Sequence, residues 1–449
     1  MRIMKTLINK TVLLLLTFFS TQFLVAQNTS VSLKDAKELV AKNNKKLAIQ
    51  KLAEERYKEV TNELKGKLLP RVALNSTVSH YFDRQVIFLP GTFAGTQNPV
   101  QDLSVGGLNA LNTSITLQQP LIAKSISRQK NMAKLEEKMQ SETTQELQSQ
   151  LVYQMTKSYY GIQLMKSQVQ LQEKSLARNQ KALSDSKSLF AEGRVLKVDT
   201  LRSYIAVENL KSSIAYLHNN IEVANGSFKK LLGMDATETI ALTDPLLLED
   251  ENEKFILLEE KIKSGTDDRN DVQLQVLAIE KEEQNLSAVK GNYLPQVSLI
   301  GQYQIQAQAD DLKVGQYTFP KTSFVGLQVS VPIFSGGSIT AQARQSKIKI
   351  EQEKLNLEDL KQEVNLELNT ISGNWKNAKA QLDIQKKTVD AAEINYTINS
   401  NRYLNNLSSM LEVNDAELAL NTAQLNYLMA VYELKVLTVA YEKALGLLQ

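Results

Sequence analysis

Two carboxylates three residues apart, Glu412 and Asp415, lie in the run Met410-Leu-Glu-Val-Asn-Asp-Ala416. On a helix that spacing puts both on one face. Acids in a first helical turn also suit the positive end of the helix dipole. Earlier in the chain Asp199 and Arg202 repeat the spacing, with a guanidinium in the second place that can bridge to a neighbouring carboxylate. Groupings that do covalent chemistry are missing. The only histidines are His80 and His218 and there is no cysteine, so the sequence holds no paired-histidine zinc motif, thiolate site or disulfide framework. It also has no phosphate-cradling glycine loop and no glycine-flanked serine. The chain therefore reads as a non-enzyme without a cofactor.

The elements that must carry these residues follow from periodicity. Residues 33–66 and 270–290 are polar with recurring apolar positions, as amphipathic helices are, and both end at a Leu-Pro pair. Beyond Pro70 and Pro295 the period changes to two. Val72, Leu74 and Val78, then Thr113, Ile115 and Leu117, alternate with polar residues. So do Val297, Leu299, Gly301, Tyr303 and Ile305, and Val325, Leu327, Val329 and Val331. The pattern predicts strands at 71–83, about 109–119, 296–308 and 322–332. After Pro120 and Pro332 the helical period returns through 124–189 and 338–400 without a proline. At 1.5 Å per residue each such helix would be on the order of 90–100 Å long. The turns Glu192-Gly-Arg194 and Asn405-Asn406 then begin return helices. In the last of these Leu411, Leu418, Leu425, Tyr432 and Val439 recur every seven residues, as do Val413, Leu420, Tyr427, Leu434 and Tyr441. The two stripes lie on opposite flanks, as they would in a helix wedged between two neighbours. Trp375 falls in the series Ile371, Trp375, Ala378, Leu382 and reads as core.

The same plan is written twice. Lys65-Gly-Lys-Leu-Leu-Pro-Arg-Val-Ala-Leu74 returns as Lys290-Gly-Asn-Tyr-Leu-Pro-Gln-Val-Ser-Leu299. Leu117-Gln-Gln-Pro-Leu-Ile122 returns as Val329-Ser-Val-Pro-Ile-Phe334, and Leu231-Leu-Gly233 as Ala444-Leu-Gly446. The reading is an internal duplication, with residues 27–240 and 269–449 as structural repeats and 241–268 as the linker between them. Residues 1–26 read as a signal peptide, because Arg2, Lys5 and Lys10 precede a short apolar run and Ala26 offers a small residue for cleavage. Without that segment the basic and acidic side chains are equal at 49 each, which points to no nucleic-acid partner. No later segment reads as a membrane-spanning helix.

Four strands cannot close a barrel, and hydrocarbon tolerates no open sheet edge. Strands of this kind in a membrane must be pooled by several protomers, and three protomers would leave a lumen where two would not. A soluble hairpin can show the same alternation, so a periplasmic coiled-coil adaptor or scaffold with a soluble β-domain is the alternative reading.

The sequence resembles the TolC-type outer membrane efflux protein family. The resemblance is carried by Leu69-Pro70 and Leu294-Pro295, by Gln119-Pro120-Leu-Ile and Val331-Pro332-Ile-Phe-Ser-Gly-Gly337, by Phe190-Ala-Glu-Gly193, and by the two Leu-Gly endings. It covers almost all of the chain after the signal. It implies an α+β membrane protein that forms a homotrimer. Four antiparallel strands per protomer would contribute to a twelve-stranded transmembrane β-barrel in outer-membrane lipid, and long coiled helices would form a periplasmic α-barrel. Pro70, Pro120, Pro295 and Pro332 would mark the strand–helix junctions. The implied function is the passive exit duct of a tripartite efflux or type I secretion system, in the cell outer membrane with a large periplasmic extension. Its implied partners are a periplasmic adaptor (membrane fusion) protein and, through it, an inner-membrane pump. Gly193, Arg194, Asn406 and Leu407 would form the adaptor-docking tips, with Asn406 where a glycine is frequent in the family. Glu412 and Asp415 match acidic positions that narrow the closed pore in relatives, with Asp199 and Arg202 as their counterparts. Six carboxylates around one axis would attract cations and raise one another's pKa values.

Overall fold

A computed structural model of the chain describes residues 29–95, 97–246, 251–262, 267–405 and 407–448. The expected signal peptide 1–26 and Asn406 lie outside the described residues. In chain order the elements are β1 (Thr29–Val31), α1 (Leu33–Asn43), α2 (Lys45–Gly66), β2 (Arg71–His80), β3 (Gln85–Pro90), β4 (Val100–Val105), β5 (Asn109–Ile122), α3 (Lys124–Ala191) and α4 (Lys197–Leu232). They continue as β6 (Ile240–Leu242), α5 (Glu251–Ile262), α6 (Asn270–Gly291), β7 (Gln296–Ala309), β8 (Lys321–Ser330), α7 (Ser338–Leu404) and α8 (Met410–Ala444). The chain divides into two compact units. One holds Leu52–Glu142 and Gln273–Asp359, the other the chain up to Lys51, Thr143–Val272 and Leu360 onward.

The first of these units is built on a four-stranded sheet of order β2-β5-β7-β8, each neighbouring pair antiparallel. Register brings the alternating apolar residues of all four strands onto one face. Val72, Leu74 and Val78 oppose Leu117, Ile115 and Leu111. Gly301 and Tyr303 oppose Leu117 and Ile115, and Val325, Leu327 and Val329 oppose Gly301, Leu299 and Val297. Among the described residues nothing covers this face at its margins, where Val78 is 77% exposed, Val325 76% and Leu74 69%. The other face is rich in amides: Gln304 Nε2 donates to Asn112 Oδ1 at 2.8 Å and Gln302 Nε2 to Gln304 Oε1 at 2.6 Å. Among the described residues the outer edges of β2 and β8 have no strand partner.

Two features depart from the expected strand pattern. Pro120 does not end β5; the strand runs on to Ile122 with a bulge between the two. A bulge accommodates a residue that has no N–H to give to the ladder. Between β2 and β5, where no strand is predicted, lies a hairpin, β3 paired antiparallel with β4. Its base is anchored by Arg84, which ion-pairs with Asp310 and donates to the Gly106 carbonyl at 3.1 Å.

The other unit packs around β1, which pairs parallel with β6. Val31, Val40, Leu47, Met155, Tyr159, Phe228 and Leu232 form its core. Asp244 ties the layers together, accepting from the Leu33 N–H at 2.7 Å and the Tyr159 hydroxyl at 3.1 Å. The helix expected over 33–66 is two helices. Asn44 is extended and caps the second, its Oδ1 accepting from the N–H groups of Lys46 and Leu47. At the end of α4, Gly233 takes φ +72° and a Cβ there would stand 2.2 Å from the Asn43 carbonyl oxygen, so only glycine fits. Within the segment expected as a linker, α5 lays Phe255 flat against Trp375, with ring centroids 3.7 Å apart. Trp375 is core, and its Nε1 donates to Thr438 Oγ1 at 3.0 Å.

Among the described residues no helix is long and apolar enough to cross a membrane. The helices α3 and α7 run unbroken for 68 and 67 residues. Of the two stripes on α8, Val413, Leu420, Leu434 and Tyr441 are buried. On the opposite flank Leu411 and Leu418 stay uncovered among the described residues, at 47% and 66% exposure.

Candidate gate at the helix tips

The turn from α3 into α4 follows from one glycine. Gly193 takes φ +74°, and the N–H groups of Gly193 and Arg194 return to the carbonyls of Phe190 and Leu189, closing the helix end. Both residues are exposed, and Arg194 pairs with Glu192 at 3.2 Å on the surface. Asp199 then caps the incoming helix by accepting from the Leu196 N–H at 3.2 Å. The Arg202 guanidinium stands 3.9 Å from the Asp199 carboxylate. That contact is a loose pair along one helix, within the same tip.

The second tip is organised by serines. Ser409 caps α8: its hydroxyl accepts from the Glu412 N–H at 3.3 Å, and its own N–H donates to Glu412 Oε2 at 2.8 Å. The Ser408 hydroxyl donates to the same carboxylate oxygen. These hydrogen bonds hold the Glu412 carboxyl below its ordinary range, the Ser408 hydroxyl having the largest effect. Within one chain Glu412 is thus a helix cap. Asp415, one turn on, is exposed and makes no hydrogen bond or ion pair among the described residues. Leu407 is 67% exposed and its backbone is tied to Arg402 at both N–H and carbonyl. Below the tips Leu189, Tyr403, Met410 and Val413 form a closed apolar cluster. Burial raises the Tyr403 phenol above its ordinary range.

Of the four expected gate residues, Arg202 and Asp415 line one groove, whereas Asp199 and Glu412 are engaged in capping. One group went unread in the sequence. Glu417 is buried and receives the Arg178 guanidinium in two 2.8 Å hydrogen bonds and the Ser175 hydroxyl at 2.6 Å. Arg178 also lies over the Tyr396 ring, 5.6 Å from its centroid, so from α3 it reaches both α7 and α8. The available signal was a carboxylate on the face of Val413, Ala416 and Leu420, the side of α8 that is buried.

At the remaining marked positions, Pro70 and Pro295 directly precede β2 and β7, and Pro332 is the second residue after β8. None of the groups at the tips forms a nucleophile–base pair. What they offer is fixed charge and helix termini.

The comparisons with known proteins agree with this architecture. Residues 262–447 match the family model described as outer membrane efflux protein. The outer membrane protein TolC of Salmonella enteritidis is 21% identical over 413 residues, 84% of this chain and 75% of that protein. Among solved structures, that of VceC from Vibrio cholerae superposes with a TM-score of 0.75 at 14% identity, over 92% of this chain and 96% of the other. That of CusC gives a TM-score of 0.74 at 17% identity, over 95% and 96% of the two chains.

Proposed function

We propose that the chain is a member of the outer membrane efflux protein family, whose model matches residues 262–447, and that it is the outer-membrane exit duct of a tripartite export assembly. It sits in the outer membrane and extends into the periplasm. The observation that carries the reading is the sheet. One face is aliphatic and uncovered, the opposite face is lined with amides, and both edges are open. In water such a face is a large exposed apolar patch. In hydrocarbon it is at home, provided the edges are paired.

Pairing requires sister subunits, so the functional unit is a homotrimer whose twelve strands close one barrel. The uncovered Leu411 and Leu418 flank of α8 supports the same assembly, as a helix face awaiting a neighbour. Residues 27–240 and 269–449 are the two halves of a duplicated protomer, joined through 241–268 and preceded by the signal segment 1–26. The tip residues Gly193, Arg194, Asn406 and Leu407 meet a periplasmic adaptor, which links the duct to an inner-membrane pump that supplies the energy. Glu412 and Asp415, with Asp199 and Arg202, form the constriction. A soluble scaffold with a β-domain would have to bury the aliphatic face against a second layer, and the sheet has none within the described residues.

Reconstitution in planar bilayers tests the gate. Glu412→Ala with Asp415→Ala raises single-channel conductance and lowers cation preference. Unchanged conductance and selectivity remove these residues from the pore.

A further inference from the structure

The two ends of the four-stranded sheet carry different charge. Register places the start of β2, the end of β5, the start of β7 and the end of β8 together, and there the chain joins α2, α3, α6 and α7. The stretches that make these junctions, 64–71, 123–135, 284–295 and 331–350, hold eleven basic side chains and no acidic one. The connections at the opposite end, 81–108 and 310–320, hold four acids and two basic residues. Of the eleven, only Lys67 and Lys349 have a carboxylate partner among the described residues, Glu63 at 2.9 Å and Glu353 at 2.6 Å.

Helix stability does not account for this collar. The start of a helix is the positive end of its dipole, which favours acids and disfavours bases. Both α3 and α7 start at the collar, and neither has an acid in its first turn. Instead Lys124 and Arg128 stand within roughly 6 Å of the α3 start, and Arg344 within roughly 9 Å of the α7 start. Lys124, Lys290, Arg344 and Lys347 are exposed. Like charges crowded on one surface repel one another, and closing three sheets into one barrel sets three such arcs side by side. An anion from outside the chain relieves that repulsion.

We propose that this collar binds the phosphate headgroups of anionic phospholipids in the membrane leaflet that faces the helices. The inference rests on the duct reading, which puts the aliphatic face of the sheet in hydrocarbon. The collar then lies at the adjoining headgroup level, where basic side chains attract anionic lipid over about a Debye length, ~8 Å at physiological ionic strength. Ammonium and guanidinium groups donate charge-assisted hydrogen bonds to phosphate oxygens. Bound headgroups neutralise the ring and fix the depth at which the barrel sits.

The full chain is reconstituted in phosphatidylcholine vesicles doped with spin-labelled phosphatidylglycerol or spin-labelled phosphatidylcholine. Electron spin resonance then gives the share of each lipid held at the protein surface. The parent holds phosphatidylglycerol about fivefold more strongly, the scale of one basic side chain near a membrane surface. That excess shrinks in 1 M sodium chloride, where the Debye length is about 3 Å. Combining Lys124→Gln, Lys290→Gln, Arg344→Gln and Lys347→Gln brings the ratio toward one and leaves the held phosphatidylcholine unchanged. Exchanging lysine and arginine at the same four positions keeps the ratio. So does removing equal charge from the other unit with Lys45→Gln, Lys46→Gln, Lys386→Gln and Lys387→Gln. Glycerol 3-phosphate lowers the ratio no more than sodium chloride at equal ionic strength; a selective loss would assign the collar to free phosphate and overturn the proposal. Equal holding of both lipids by the parent overturns it and leaves the duct reading standing, whereas no held lipid of either kind overturns both. An unshifted ratio in the collar variant, or the same loss in the control variant, also overturns it. If the collar variant does not insert, the parent's ratio and its salt dependence decide.

Discussion

Removing one partner of the Arg178–Glu417 pair has an asymmetric cost that the geometry sets. Glu417 is 8% exposed at its side chain and Arg178 27%. Arg178→Met leaves a carboxylate sealed between α3 and α8 with only the Ser175 hydroxyl. Losing one member of a buried pair costs about 3–5 kcal/mol, and partial exposure of the guanidinium places this case near the low end, about 3 kcal/mol. Glu417→Leu strands the more accessible partner, which can turn toward water, so the loss is close to that of its charged hydrogen bonds, about 1.5–3 kcal/mol. The double variant has no charge to strand and returns close to the parent. Amide exchange in α3 near 172–182 and α8 near 413–421 reads the local opening free energy. A loss of about 3 kcal/mol speeds exchange there by about two orders of magnitude. The order Arg178→Met worst, Glu417→Leu intermediate and double variant mildest is the expected result. A double variant less stable than either single one refutes the argument, because the pair would then be a net attraction exceeding its desolvation.

Two other perturbations follow from the same structure. Phe255→Ala removes the ring stacked on Trp375 and costs about 3–5 kcal/mol in the packing of α5. Trp375 is the only tryptophan, so its emission shifts to the red as water enters; unchanged emission would show that α5 is held by other contacts. Glu412 is capped as a carboxylate and its pKa is lowered, first by the Ser408 hydroxyl, so its contribution to the α8 start is present above the ordinary glutamate range and is lost as pH falls through the lowered value. The buried Met410 methyl resonance should follow that titration with a midpoint below the ordinary glutamate range, and Ser408→Ala should move the midpoint upward. A parent midpoint no lower than that of an unpartnered glutamate rules the cap out as the controlling interaction.

The four sheet strands were legible because a period of two survives wherever the two faces of a sheet meet different surroundings, as Val72, Leu74 and Val78 show against Ala73, Asn75 and Thr77. The long helices were legible because no proline interrupts them. The β3–β4 hairpin was not: Val86, Ile87, Phe88 and Leu89 are apolar in succession, so no alternation marks them and the proline and glycine beside them look like loop. Asn44 breaks a helix through its side chain's bonds to the next turn and to Leu231, a tertiary partner nearly two hundred residues away. In α5 the pattern is present, but the docking of Phe255 depends on an aromatic surface assembled from α7 and α8. The tips divide likewise. Gly193 announces its turn, and the capping role of Glu412 is readable from Ser409 three residues before it. The Arg178–Glu417 pair spans 239 positions and becomes visible only when α3 and α8 lie side by side.

Completion of the sheet by sister subunits is tested most directly by a covalent bond between strand edges. In this cysteine-free background, Ser76→Cys on β2 is combined in turn with Ser323→Cys, Val325→Cys and Leu327→Cys on β8, all on the aliphatic face. Mild oxidation in isolated outer membranes should produce, for at least one combination, a reducible species three times the mass of the chain, because each protomer offers both edges. Protein that stays at the mass of one chain in every combination, and that is released from membranes without detergent, would contradict the account.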